Sequence, residues 1–209
     1  MESPSCIRKY FPDFTPAQVA QLQQLEPLYR CWNERLNLIS RKDVDMLYER
    51  HVLHSLAIAK AAQLADGAKI LDVGTGGGFP GIPLSIALPQ CRFTLVDSIG
   101  KKVAAVREIA HALRLSNVQV VQARAETLPQ KFDFVVSRAV ADLPTFAGWV
   151  WSKIATGGHS SIPNGILYLK GGDLTGELKG VAQKAVVIAI SDFFDEAFFE
   201  TKKIVYIKR

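Results

Sequence analysis

A glycine-rich segment preceded by a carboxylate carries the clearest chemistry in this chain of 209 residues. The run DVGTGGGFPG extends from Asp72 to Gly81, and its first two residues end a short apolar stretch. Five of the eight residues from Gly74 to Gly81 are glycine. Glycines let the backbone turn sharply and approach a ligand more closely than a side chain would allow. The segment therefore predicts a ligand-binding turn between a strand and a helix, rather than a tight connection alone.

The residues around these glycines argue against two common phosphate-binding loops. No GKS or GKT follows, as a P-loop requires, and Phe79 stands at the third glycine of the GxGxxG dinucleotide fingerprint. Asp72 would also repel a pyrophosphate, because like charges at short range are costly in a poorly hydrated cleft. A ligand with a local positive charge, such as the sulfonium or ammonium group of S-adenosylmethionine (SAM), fits the carboxylate better. An NAD-dependent oxidoreductase is accordingly the least favoured class.

A second acid supports an adenosine ligand. Asp97 ends the next predicted strand, 23 residues beyond Gly74, a position typical of an acid that accepts both ribose hydroxyls. The turn after the third predicted strand, Ala125-Glu126, would close over the adenine. The predicted cofactor-binding residues from these motifs are Asp72, Gly74, Gly76, Gly78, Asp97, Ala125 and Glu126.

Arg138 follows the fourth predicted strand and presents a permanent cation at the same edge. It could bind a phosphate, a base oxygen or the cofactor, or it could serve a buried structural carboxylate. Two kinds of base methylation are not indicated. Enzymes that methylate exocyclic amines often carry an Asp/Asn-Pro-Pro-aromatic run after this strand, and the sequence has none. Methylation of cytosine C5 needs a cysteine nucleophile near this edge, whereas Cys91 is predicted at the opposite end of the sheet. If SAM donates its methyl group, an acceptor atom with a free lone pair and no proton to lose, such as guanine N7, needs no general base. No catalytic base is therefore predicted.

Alternating strands and helices must position these turns. The predicted strands are 69–73, 92–96, 118–121, 132–136, 165–169, 186–190 and 204–207, and the predicted helices among them are 82–88, 101–115, 143–154 and 174–183. This alternation is typical of a doubly wound, mostly parallel α/β sheet. Ligands of such sheets bind beyond the carboxyl ends of the strands. Residues 66–209 are thus predicted to form the SAM-binding methyltransferase domain.

Residues 1–65 contain no predicted strand and are predicted to form an N-terminal helical extension. Thr15 and Pro16 predict the start of a helix, and Pro27 predicts a kink in it or a break into two short helices. Ser40, with Asp43 three residues later, predicts the start of a second helix.

Metal, disulfide and membrane chemistry are not indicated. The three cysteines are far apart and form no CxxC pair, as expected of a protein in the reducing cytoplasm. His51 and His54 have a spacing that could bind a metal, but no third ligand is evident, so a polar helix face near the cleft is favoured. No apolar run approaches the roughly 18 residues that a membrane span needs.

Positive charge is concentrated in one part of the chain. Hydrophobic residues make up 48% and charged residues 22% of a globular composition with net charge +5. Residues 92–138 hold eight lysines and arginines against four acids, or +4 of that excess. Solvated helix faces explain this as well as an RNA surface does. The candidate RNA-binding residues are Lys101, Lys102, Arg107, Arg124 and Lys170.

The run DVGTGGGFPGIPL resembles the RsmG (GidB) family of bacterial small-subunit rRNA methyltransferases. Further stretches agree with that family: Trp32-Asn33 with Asn37-Leu38-Ile39-Ser40, Arg50-His51 with Ser55-Leu56, Leu95-Val96-Asp97-Ser98 with Gly100-Lys101-Lys102, Ser137-Arg138-Ala139, and Lys170-Gly171-Gly172. The sequence departs from the family at His54, where an acid is common.

The resemblance implies a class I SAM-dependent methyltransferase with a Rossmann-like sheet of seven strands, the last one antiparallel. It implies methyl transfer, without a metal and with S-adenosylhomocysteine as product, to guanine N7 in the 530 loop of 16S rRNA (guanine 527 in rRNA numbering). Carried over to this chain, the cofactor contacts are Gly74, Phe79, Ala125, Glu126 and Arg138, with Asp97 at the ribose. The expected partner is 16S rRNA or the small ribosomal subunit, bound by a cytoplasmic monomer.

Two other functions are compatible with the same sheet. A small-molecule methyltransferase is less favoured, because a small neutral acceptor has no use for the basic stretch. A non-catalytic ribosome-binding protein with a SAM fold is less favoured because the acids and glycines of the predicted pocket are intact.

Overall fold

Apolar segments rich in valine, isoleucine and leucine form the seven strands of a single sheet. The computed structural model describes residues 5–181 and 185–209. The strands are β1 Lys69–Val73, β2 Arg92–Asp97, β3 Val118–Gln122, β4 Phe134–Arg138, β5 Gly165–Gly171, β6 Ala185–Ala189 and β7 Lys202–Lys208. Their order is β3-β2-β1-β4-β5-β7-β6. β1 to β5 pair in parallel, whereas β7 is antiparallel to both of its neighbours. The predicted mostly parallel seven-stranded sheet is confirmed.

Helices cover both faces of the sheet. They are α1 Ser5–Tyr10, α2 Pro16–Asn33, α3 His54–Ala61, α4 Gly81–Ala87, α5 Gly100–Ala112, α6 Leu143–Val150 and α7 Thr175–Leu178. Because side chains alternate between the faces of a strand, Ile70 enters the hydrophobic cluster that holds α1 to α5, and Leu71 enters the cluster that holds α6. The N-terminal helices therefore share one apolar core with the sheet.

The first long helix starts where the sequence predicts and does not break at its proline. Thr15 and Gln18 form a reciprocal capping box at the N-terminus of α2. Pro27 lies inside the continuous helix, so the predicted alternative of two short helices is wrong. Proline removes the hydrogen bond to the carbonyl four residues earlier. The Tyr48 hydroxyl compensates nearby, since it lies 2.9 Å from the carbonyl oxygen of Leu22 and 3.5 Å from that of Gln23.

The second helix begins later than predicted. Ser40 makes no side-chain cap, and residues 41–43 form only a 3₁₀ turn. The Asp43 carboxylate instead accepts a hydrogen bond from Arg50 Nη1 at 2.7 Å. A π-helical segment, Tyr48–Leu53, then leads directly into α3. The predicted capping pair is therefore wrong, and the side chain of Asp43 pairs instead with Arg50, seven residues further along the chain.

Other boundaries also differ from prediction, among them those of β4, α6 and α7. β4 starts two residues late, since Phe132 pairs only with Ile154 in an isolated bridge. α6 ends at Val150 and is followed by a 3₁₀ turn, Trp151–Lys153. α7 ends at Leu178, and glycines on both sides of that residue disfavour a longer helix. The predicted end of that helix, residue 183, lies outside the described residues.

Candidate cofactor site

The glycine loop turns sharply because three of its residues adopt backbone angles that favour glycine. Gly74, Gly76 and Gly78 have φ of 64°, 56° and 92°. A Cβ atom on Gly74 would lie 2.5 Å from Val140 Cγ2, and one on Gly77 would lie 2.8 Å from the carbonyl oxygen of Leu38. The predicted strand-to-helix turn is present between β1 and α4, and it is packed from two sides.

Asp72 lies beneath this loop and is fully buried. Its Oδ2 accepts hydrogen bonds from the Thr75 hydroxyl at 2.6 Å and from the Gly81 N–H at 2.9 Å. Burial raises the pKa of the carboxyl to about 7, although these hydrogen bonds and Arg138 oppose the shift. The carboxylate is not among the residues that line the cavity described below. Asp72 therefore holds the loop through its Oδ2 from a position outside the cavity wall.

Asp97 ties the end of β2 to the same loop. Its Oδ2 accepts a hydrogen bond from the Gly76 N–H, and its Oδ1 accepts one from the Ile99 N–H, both at 2.9 Å. The residue is only 8% exposed, yet it lies on the wall of the cavity. A carboxylate held in this way keeps further lone pairs for hydroxyl donors.

A cavity of about 520 Å³ opens at the carboxyl ends of β1, β2 and β3. Its volume lies within the range of sites for small molecules and cofactors. Five of the predicted cofactor residues line it together: Gly74, Gly76, Asp97, Ala125 and Glu126. Gly78, Phe79 and Arg138 do not line it, and Gly78 and Phe79 are buried.

Three apolar residues of the cavity wall were not predicted from the sequence. Ile99, Val140 and Trp149 all line the cavity, and each is more than one-third exposed. They are three of the five large exposed hydrophobic residues in the described part of the chain. Clustered exposed apolar side chains indicate a ligand surface. The spacing of Trp149, three positions after the core residue Phe146, predicts burial in the core, so the sequence contains no signal for its place on the cavity wall.

The segment after β4 reaches back over the glycine loop and brings Val140 into place. Ala139 has φ of 54°, which is uncommon for a residue other than glycine. The Tyr168 hydroxyl on β5 accepts hydrogen bonds from the N–H groups of Val140 and Ala141, both at 2.9 Å. Because these contacts span 27 and 28 positions, periodicity along the chain could not reveal them.

Arg138 bridges the end of β4 to the N-terminal helices. Its Nη1 lies 3.2 Å from the carbonyl oxygen of Arg50, and its Nη2 lies 2.8 Å from Nδ1 of His51. Its guanidinium also lies 5.1 Å from the ring centre of Phe79. Burial lowers the pKa of Arg138 to about 10, still far above neutrality. Within the described residues no carboxylate lies within ion-pair distance of it, so it does not serve a structural carboxylate by direct contact.

The two histidines near Arg138 are buried, so the predicted polar helix face is wrong. His51 is 8% exposed and His54 is 6% exposed. Burial, with the nearby Arg138 charge, lowers both pKa values to about 3. A neutral His51 whose Nδ1 accepts from arginine must carry its proton on Nε2. No group of three metal-ligating residues occurs in the described ranges.

The candidate RNA-binding residues have different surroundings. Lys102 and Arg124 line the cavity, and Lys101 is exposed beside it. Arg107 is exposed and donates a hydrogen bond to the carbonyl oxygen of Val120 at 3.0 Å. Lys170 is different, because its ammonium pairs with Glu177 at 2.7 Å and donates to the Ala141 carbonyl at 2.8 Å. Its side chain is 11% exposed, so the structure gives Lys170 an internal contact rather than a free cation.

Replacing Asp72 with asparagine should remove a pH dependence of folding. The pKa of Asp72 rises from its ordinary value of 3.8 to about 7 on folding. The native carboxyl therefore keeps a proton that the unfolded chain has lost, and the stability from this group is present below about pH 4 and lost as the pH rises through about 7. Asparagine keeps an oxygen for Gly81 and Thr75 without a charge. The variant should thus gain stability relative to the natural chain between about pH 5 and about pH 8.

Urea unfolding of the variant and of the natural chain at about pH 5 and about pH 8 measures this difference in stability. Asp66→Asn, which removes an exposed carboxylate, is the matched control. Parallel stability profiles for Asp72→Asn and the natural chain would show that the buried carboxyl titrates normally.

The strand order, the glycine loop and the cavity at the carboxyl edge define the class I SAM-dependent methyltransferase fold. A solved SAM-dependent methyltransferase from Aquifex aeolicus superposes with a TM-score of 0.55 at 14% identity, over 81% of this chain and 98% of that chain. At this identity the likeness concerns the fold.

The family follows from the sequence comparisons. The model of the GidB family, described as rRNA small subunit methyltransferase G, matches residues 18–203, and the chain belongs to that family. Relatives named ribosomal RNA small subunit methyltransferase G occur in Christiangramia forsetii (53% identical, over 96% of this chain and 95% of the relative) and Flavobacterium psychrophilum (54% identical, over 96% of each). The chain is thus a methyltransferase of this family, as the sequence resemblance predicts.

Among the described residues, no helix is both long enough and apolar enough to cross a bilayer.

Proposed function

We propose that this protein transfers the methyl group of SAM to N7 of a guanine in the 530 loop of 16S rRNA, guanine 527 in rRNA numbering. The observation that carries the cofactor part is the meeting of Gly74, Gly76, Asp97, Ala125 and Glu126 in one cavity of about 520 Å³. Membership of the family and relatives named for the small-subunit rRNA support the acceptor.

The cavity residues suit the parts of SAM. Asp97 would accept the ribose hydroxyls, since its carboxylate lies on the wall and is fixed by two backbone N–H groups. Ile99, Val140 and Trp149 would cover the faces of the adenine, and Ala125 and Glu126 would lie at its edge. When bound, SAM supplies an electrophilic methyl group.

Arg138 would act from behind the loop as a fixed cation. Its two hydrogen bonds and its contact with Phe79 hold the guanidinium in one orientation. A cation held in this way would attract the carboxylate of the methionine part or a phosphate of the acceptor. The role in cofactor binding that the resemblance gives to Phe79 would be exerted through Arg138, because the ring itself is buried.

The chemistry of guanine N7 fits the scarcity of bases near Arg138. The nitrogen has a lone pair and no proton, so methylation requires alignment rather than proton removal. Good alignment contributes up to roughly 7–11 kcal/mol in intramolecular reactions. His51 and His54 are buried and neutral, and Nδ1 of His51 already contacts Arg138. S-adenosylhomocysteine would be the product, and the protein would act as a cytoplasmic monomer on 16S rRNA or the small subunit, without a metal.

Two measurements test the proposal together. Calorimetry on the purified protein should show binding of SAM and none of NAD, because the cavity has an acid for ribose but no dinucleotide fingerprint. Mapping of 7-methylguanine in 16S rRNA should detect the base at position 527 only in cells that contain the protein. An unchanged modification map would reject the acceptor, whereas NAD binding without SAM binding would reject the cofactor.

A further inference from the structure

A second group of charged and aromatic side chains lies beside Arg138, on the side away from Asp97. The ring of Phe198 lies 5.7 Å from the Arg50 guanidinium and 4.6 Å from Lys202 Nζ. His54 contacts the same ring edge-on, with 5.7 Å between ring centres. We refer to Arg50, Phe198 and Lys202 as the Phe198 cluster.

The sheet places this cluster at the carboxyl edge, where the cofactor cavity also opens. Lys202 starts β7 and pairs with Gly171 at the carboxyl end of β5. Arg50 supplies the carbonyl oxygen that Arg138 Nη1 contacts at 3.2 Å. In the order β2-β1-β4-β5-β7, Asp97 lies two strands to one side of β4 and Lys202 lies two strands to the other side. Each separation is about 10 Å at the usual strand spacing.

At least one of the positive charges here has no counter-charge within ion-pair distance in the described structure. Arg50, Arg138 and Lys202 converge on the site, and Asp43 is the carboxylate that pairs with Arg50, at 2.7 Å. Among the described residues, no carboxylate lies within ion-pair distance of Lys202. A partly buried cation without a counter-charge is costly, and an incoming anion would relieve that cost at Lys202.

Buried polar atoms in the same place also lack partners. The Nε atom of Arg50 and the Nε2 atom of His54 are buried and have no hydrogen-bond partner in the described structure. His54 itself is 6% exposed, that is, more than nine-tenths buried. Buried polar groups are normally satisfied, and an unsatisfied one often marks the position of a missing ligand or water.

We propose that the Phe198 cluster binds a backbone phosphate of the acceptor RNA. This inference rests on the proposed function and gives the acceptor a position across β4 from the ribose acid. Lysine and arginine around an aromatic ring are typical of nucleic-acid surfaces, where the cations bind phosphates and the ring can stack on a base. The cluster differs from the sequence-predicted RNA residues Lys101, Lys102 and Arg124, which lie on the cofactor side of β4.

Lys202→Met tests the proposal because it removes the charge and keeps the apolar stem beside Phe198. Lys208→Met is the matched control, since Lys208 lies on the same strand at the opposite edge of the sheet and is exposed. The measurement is the affinity for a 16S rRNA fragment that contains the 530 loop, at several salt concentrations. Lys202→Met should weaken binding roughly tenfold and lower the log–log salt slope by about 1. Lys208→Met should change neither quantity.

Further variants and ligands separate RNA binding at Lys202 from damage to the cavity and from contact with a ribosomal protein. Lys202→Arg should restore RNA affinity, and all of these variants should bind SAM as the natural chain does, which shows that the cavity is intact. Equal RNA affinities for Lys202→Met and Lys208→Met would overturn the inference. It would also be overturned if Lys202→Met kept its affinity for the RNA fragment and lost affinity only for the whole small subunit, since the partner would then be a ribosomal protein. Failure of the natural chain to methylate rRNA would instead reject the proposed function.

Discussion

Asp97→Ala is expected to weaken SAM binding by about a hundredfold or more while the chain stays folded. Two hydroxyl hydrogen bonds to a carboxylate contribute about 1.5–3 kcal/mol each. The substitution also frees the N–H groups of Gly76 and Ile99, which Asp97 holds at 2.9 Å. The glycine loop would then lose its attachment to β2 in addition to the ribose acceptor. Titration calorimetry with SAM measures the effect.

Asp133→Ala is the matched control for this prediction. Asp133 accepts a hydrogen bond from the backbone N–H of Lys69 at 2.8 Å, but at the opposite edge of the sheet. Its removal should change stability without changing SAM affinity. An S-adenosylhomocysteine analogue without ribose hydroxyls sharpens the test. It should bind the natural chain weakly, and Asp97→Ala should weaken its binding by a smaller factor than it weakens SAM binding. Equal SAM affinities for the two alanine variants would show that Asp97 does not bind the ribose.

The features that the sequence predicts correctly are local ones. The loop at Gly74 and the acid at Asp97 each follow a strand of apolar residues, and parallel strands bring such ends to one edge. The same logic predicts Ala125 and Glu126 on the cavity wall. Because each inference requires only a strand, its end and the next turn, one short segment contains all the information needed.

The features that the sequence does not reveal depend on distant partners. His51 and Arg138 are 87 positions apart, and their contact gives the guanidinium its orientation. The Tyr168 hydroxyl, which positions Val140, comes from another strand. Asp72 illustrates the same limit, because an acid before a glycine loop can face a ligand or hold the loop from below. Only packing distinguishes the two arrangements.

The continuity of α2 through Pro27 has a similar cause. The sequence contains the unfavourable residue but not the compensating one, since the Tyr48 hydroxyl, 3.5 Å from the carbonyl oxygen of Gln23, lies 25 positions away along the chain. The π-helical segment that contains Tyr48 also places His51 against Arg138. Extra residues in a helical turn often occur at functional sites, and here the wider turn lies directly behind the candidate reaction edge.

Arg138→Lys is expected to lower kcat/KM for rRNA methylation by about a hundredfold, or roughly 2.7 kcal/mol. Arginine contacts the carbonyl of Arg50 and Nδ1 of His51 at the same time and lies against the ring of Phe79. Lysine keeps the charge but has a single nitrogen and no planar fork, so it cannot reproduce this orientation. Rates at saturating and limiting SAM, together with thermal melting, separate lost activity from lost folding.

Two variants of His51 show whether the orientation of Arg138 causes the loss. The side-chain oxygen of asparagine can take the place of Nδ1, whereas glutamine places its polar atoms nearer to Nε2. His51→Asn should therefore keep most of the activity, and His51→Gln should resemble Arg138→Lys. Both substitutions remove the same buried ring, so a purely structural role for His51 would lower activity equally in the two variants. Normal turnover by folded Arg138→Lys would leave the bridge between β4 and the N-terminal helices with a role in stability only.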